Sequence, residues 1–92
     1  MRRTNINYMM RLAKSFADGK SDGISFESDF GYELERRYRD MEREDSEYAM
    51  LIYDRIYEDI ICKSDGLTEE EYRDMIEDAY YDIKDIAMGG FL

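Results

Sequence analysis

Histidine and proline are absent from these 92 residues, cysteine occurs once and glycine six times. Each absence closes off a class of answer. Without histidine, the commonest general base is missing. With no histidine and only Cys62, a zinc or iron–sulfur site has no ligand set, and an internal disulfide cannot form. No metal and no cofactor are expected, and the chain is expected in the reducing cytoplasm. Without proline, and with glycine sparse, the strongest helix breakers are gone. No apolar run reaches membrane-spanning length, and no signal-peptide stretch follows the basic opening "MRRTN". No membrane role is expected.

What is present is acid and tyrosine. The formal net charge is −10, and the chain carries nine Tyr and seven Met. The hydrophobic fraction of 43% is too high for a disordered acidic tail. Residues 1–92 are therefore expected to form one domain with one modest core. The acidic balance argues against direct nucleic-acid binding, which needs a basic surface to neutralise phosphates. It suits a basic partner, or simply solubility.

The apolar spacing predicts four helices. Over residues 5–17, Ile6, Met9, Met10, Ala13 and Phe16 mark one helical face, with Thr4 or Asn5 as cap and Asp18-Gly19 as stop. A second helix begins at Ser25 as N-cap and carries Phe26, Phe30, Leu34, Tyr38 and Met41 inward. Gly31 inside it costs roughly 1 kcal/mol against Ala and would admit a close helix contact. A third helix, capped by Asp45 or Ser46, runs to about residue 63 with Ala49, Ile52, Tyr53, Ile56 and Ile60 as its core stripe. Met50, Asp54, Tyr57 and Ile61 form a second stripe on its other side. In the fourth helix Thr68 and Glu71 make a capping box, and Leu67 and Tyr72 a hydrophobic staple. Tyr72, Ile76, Ala79, Ile83 and Ile86 then step by four and three, and Gly89-Gly90 ends the helix. No stretch alternates with period two. The expected fold is all-α, an antiparallel four-helix bundle.

Residues 15–30, "SFADGKSDGISFESDF", raise a calcium-loop reading. Such a loop wants oxygen ligands at positions 1, 3, 5 and 12 and glycine at 6. Counted from Asp18, Asp22 and Gly23 fit. Lys20 brings a positive charge to position 3, Ser25 stands where an aliphatic is usual, and Asp29 is too short for the closing bidentate ligand. A helix stop, a turn and a capped helix start account for more of the residues. "SDGLTEEEY" at 64–72 repeats the same order of turn, aliphatic, hydroxyl cap and acids.

"LAKSF" (12–16), with Lys20, Ile24, Phe26 and Phe30, is similar to the opening of the colicin-D-type immunity proteins. "ELERRYRD" (33–40) fits the charged end of that family's second helix. "YDRIYED" (53–59) resembles its acid-Arg-aromatic-acid run, and "DGLTEEEYRDMIEDAYYDI" its last helix. The link "MEREDS" is shorter than the family's usual one. The resemblance implies a four-helix bundle that neutralises a tRNA-cleaving nuclease toxin by covering its basic cleft with acids. Related immunity proteins serve contact-dependent growth inhibition. Asp54 and Asp59 match the family's acidic positions.

The expected activity is thus binding, with no enzymatic role, in a 1:1 complex between the monomer and a cognate basic nuclease domain. The expected contact residues are Met50, Asp54, Tyr57, Glu58, Asp59 and Ile61 on the third helix, and Asp74, Asp78, Tyr81 and Asp85 on the fourth. The bland reading of Asp54 and Glu58 is a solvated charged face. Exposed apolar neighbours weigh against it. Paired carboxylates would also serve acid–base catalysis, but these sit on convex faces. A phage-encoded nucleic-acid mimic that blocks a host defence protein is the alternative function.

Overall fold

The computed structural model describes residues 3–88. They form a four-helix bundle: α1 (Thr4–Ala17), α2 (Gly23–Glu44), a segmented third helix and α4 (Glu69–Ala87). The third helix starts as α3 (Ser46–Leu51), widens into a π segment (Ile52–Glu58) and is followed by a 3₁₀ turn (Ile61–Lys63). No strand occurs among the described residues. One contiguous core runs through the bundle, built from all four helices. The expected helix end at Gly89-Gly90 lies outside the described residues.

The first turn is built from local hydrogen bonds. Gly19 takes φ +84°, Gly19 N–H donates to the Phe16 carbonyl (3.0 Å), and Lys20 N–H donates to that of Ser15 (2.9 Å). This is a Schellman stop. The next helix starts at Gly23, so its cap lies three residues before the expected Ser25. Asp22 is the N-cap and accepts from Ser25 N–H at 2.7 Å. Residues 23–29 are therefore helical, and the twelve-residue calcium loop does not exist. Ile24, placed before the cap in the expectation, is instead a helical residue and 85% exposed. The echo at 64–66 is also not a structural repeat: Gly66 is left-handed (φ +88°), whereas Gly23 lies in its helix.

Two helix N-termini are capped from far along the chain. Neither Thr4 nor Asn5 caps α1, and its N-cap residue Arg3 makes no side-chain cap. Glu44, at the end of α2, accepts from Asn5 N–H (3.0 Å) and Ile6 N–H (3.0 Å). Glu69 on α4 does the same for α2, accepting from Gly23 N–H at 2.7 Å. Burial opposes the charge on Glu44. The Ile6 and Asn5 hydrogen bonds and the Arg37 charge together outweigh that and hold its carboxyl below the ordinary 4.5. A carboxyl depressed in the folded state stabilises the fold above its unfolded pKa and stops doing so as the pH falls through the folded one. Glu44→Gln is expected to cost about 1–2 kcal/mol at pH 7. The gap to wild type should close as urea melts are taken below pH 4.5. A gap that persisted in acid would mean the charge is irrelevant there.

The α2 and α4 stripes follow their spacing. Phe26, Phe30, Leu34 and Met41 are buried on α2, as are Tyr72, Ile76, Ala79 and Ile83 on α4. Tyr38 and Ile86 are only half-buried. The capping box at Thr68 and Glu71 is present in both directions. Asp45, a single extended residue, turns α2 into α3 and caps it through Tyr48 N–H (3.2 Å).

The third helix departs from expectation. It is not α-helical to residue 63. Its buried residues are Tyr48, Ala49, Ile52, Ile56 and Ile60, with Tyr53 half-buried. Tyr48, Ile52, Ile56 and Ile60 are spaced by strict fours. Over those twelve residues an α-helix rotates about 120° past whole turns, which would carry Ile60 off the core. Widening to i→i+5 bonds slows the rotation and keeps the stripe inward. Asp59 N–H donates to the Asp54 carbonyl at 3.0 Å, five residues back. As a result α3 packs on α2, while the π segment packs on α4. A groove opens between the π segment and α2.

Candidate functional site

The π turn redistributes the expected contact residues. Met50, Asp54, Tyr57 and Ile61 do not form one stripe. Met50, half-exposed, borders a hollow with Tyr48, Leu51, Ile86 and Ala87. Asp54 is exposed, and its charge, after burial and Glu42, pushes up the phenol of Tyr38 on α2. Tyr57 packs over Gly31, and Ile61 is half-buried against the core. Asp59 faces the other way, into a groove of about 270 Å³ shared with Asp78 and Asp82 of α4, the exposed Met75, and Arg55. Arg55 pairs with Asp82 at 3.8 Å, not with Asp59. Glu58, Asp74 and Asp85 are exposed. Tyr81, 49% exposed, stands edge-on to the half-buried Tyr80. The ten residues therefore cover two grooves, the hollow beside Met50 and an outer face rather than one strip.

Charge is divided between the halves of the chain. Residues 46–88 hold thirteen acids and four bases, and residues 3–45 hold ten acids and eight bases. All thirteen of those acids are exposed. Among the described residues only Asp82 and Glu69 of that set are in ion pairs, with Arg55 and Arg73. In the first half, pairs join Arg3–Asp45, Lys14–Asp18, Arg37–Glu33, Arg36–Glu33 and Arg43–Asp40. The third helix and α4 thus present an acidic side with little internal compensation. Such a side projects a field over roughly a Debye length, about 8 Å at physiological salt.

The groove between α2 and the π segment holds what the spacing missed. It is lined by Gly31, Leu34, Glu35, Tyr38, Tyr53 and Tyr57, with a volume of about 390 Å³. Tyr38 meets Tyr53 edge-on with ring centres 5.4 Å apart, and Tyr53 leans on Tyr57 at 5.5 Å. The Cys62 thiol, then burial, push the Tyr57 phenol up, so it stays neutral. Tyr38 and Tyr53 were expected in the core stripes. A signal against that was present: tyrosine keeps its hydroxyl wet, so it suits the rim of a core more than its centre. Among the described residues no cluster of His, Cys, Asp or Glu could hold a metal ion, and no helix is long and apolar enough to cross a membrane.

A β-carbon on Gly31 would meet Tyr57 Cε1 at 3.6 Å, an ordinary contact. The close approach anticipated there is real but does not demand glycine. Gly31→Ala is expected to stabilise the protein by about 0.5–1 kcal/mol, through helix propensity and a smaller unfolded-state entropy. A lowered melting temperature would show that the Tyr57 contact is tighter than this.

No protein-family model, no curated protein and no solved structure matches this chain.

Proposed function

We propose that this chain is an immunity protein that binds a basic nuclease toxin domain and blocks it by covering its cleft. One observation carries the reading: thirteen exposed acids, mostly without a cation of their own, on one half of a four-helix bundle. A nuclease cleft built to hold a polyanion has the complementary charge. Exposed Met50, Met75 and Tyr81 lie among the acids and supply apolar contact area of the kind interfaces favour. Asp54, Glu58, Asp59 and Asp78 are the acids assigned to the contact. The resemblance to colicin-D-type immunity proteins names a tRNase as the target class. The chain's role is occlusion, with no chemistry of its own.

The test is inhibition. The purified chain, added to a nuclease domain encoded beside it, should abolish RNA cleavage at a 1:1 ratio. Undiminished cleavage at tenfold excess would sink the proposal. Inhibition of a host defence protein in place of a linked nuclease would favour the nucleic-acid mimic.

A further inference from the structure

Three tyrosines elsewhere in the bundle already have a cation supplied by the chain itself. Arg37 sits 3.9 Å from the ring centre of Tyr8, Arg3 lies 5.4 Å from that of Tyr48, and Lys84 lies 5.4 Å from that of Tyr80. The groove between α2 and the π segment differs. Its three tyrosines have no such cation among the described residues, and no basic side chain lines it. Acids do surround it: Glu35 lines the groove, and Glu42 and Asp54 lie close enough to act on Tyr38. Edge-on and tilted aromatic rings beside unpaired carboxylates form an environment for a cation, which aromatic rings attract within about 6 Å. The volume of about 390 Å³ falls within the roughly 300–1,000 Å³ of ligand clefts.

We infer that this groove receives an arginine side chain of the partner, its guanidinium stacked among Tyr38, Tyr53 and Tyr57 and facing Glu35 and Asp54. Arginine fits better than lysine because a planar guanidinium stacks on rings and forks to carboxylates. Naming the partner rests on the immunity reading; the preference for a guanidinium does not. The groove is the anchor, and the acids of the π segment and α4 are the guide. Gly31 keeps one wall open: a larger side chain there would project over the tyrosines.

The experiment uses the isolated protein and a defined probe. N-acetyl-arginine amide is titrated against it by NMR, beside the neutral citrulline analogue. The expected result is shifts clustered at Gly31, Tyr38, Tyr53 and Tyr57, absent with citrulline, and weakened about tenfold in a folded Gly31→Leu variant. Absent shifts, equal shifts with citrulline, or shifts centred on Asp59, Asp78 and Asp82 would overturn it. So would shifts at the groove that grow with protein concentration before any probe is added, since a second copy would then be the occupant. The two proposals fail separately. Arginine in the groove with no nuclease bound refutes the immunity reading alone. A Gly31→Leu variant that binds the nuclease at full strength refutes the anchor alone.

Discussion

Phe16→Ala is expected to remove about 3–5 kcal/mol of folding stability, a large share of the roughly 5–15 kcal/mol typical of a domain. Phe16 is fully buried at the end of α1 and touches two other helices. It stacks on Phe26 of α2 at 4.4 Å with planes 8° apart, and Tyr72 of α4 meets it edge-on at 4.8 Å. The Arg73 guanidinium lies 4.6 Å from its ring centre and donates to its backbone carbonyl. Alanine would leave the Schellman stop and the carbonyl contact in place, so the loss reports the ring alone. A cavity at this junction loosens α1, α2 and α4 together. Urea unfolding by circular dichroism measures it, with Phe16→Leu as a control expected to cost less than about 1.5 kcal/mol. A loss below about 1 kcal/mol for the alanine variant would show that the aromatic cluster is not the hub of the fold.

The second large effect is on association. Replacing Asp54, Glu58, Asp59 and Asp78 together by their amides is expected to slow binding to the nuclease by about 10–100-fold at low salt. None of the four has an ion pair among the described residues, so the fold should lose nothing. Relief of like-charge repulsion should raise the melting temperature slightly. The control is Asp29→Asn with Asp40→Asn. Helix geometry puts those two positions on the side of α2 away from the tyrosine groove. They should leave the association rate within about twofold of wild type, the scale of one or two distant, screened charges. Equal slowing by both sets would mean that only total charge matters, and the assigned face would be wrong.

Much of this fold was legible because the deciding interactions are local. The fourth helix announced itself through the Thr68 and Glu71 box and a seam alternating fours and threes. Phe26, Phe30 and Leu34 did the same for α2. Gly19 marked a stop whose Schellman bonds span only three and five residues. The caps from Glu44 and Glu69 were not legible. Each acid reaches a helix start some 39 and 46 residues away, and no local pattern ties them. The π segment lay between these cases. Strict four-residue spacing from Tyr48 to Ile60 conflicts with a 3.6-residue period, so the conflict was readable in principle. Reading it as an α-helix put Tyr53 in the core and Asp54, Tyr57 and Ile61 on one stripe. The wider turn instead sends Tyr57 toward α2 and Asp59 toward α4. The acidity of the candidate face was visible in composition; the tyrosine groove beside it needed the turn of the third helix to be seen.

In the proposed function, the acidic side of the π segment and α4 guides this chain onto a basic nuclease. Stopped-flow association of the two proteins from 50 to 500 mM salt tests it most directly. The association rate is expected to fall at least about tenfold over that range, because screening removes the long-range attraction, while dissociation changes little. Tight binding whose association rate is independent of salt, or no complex at any salt, would contradict it.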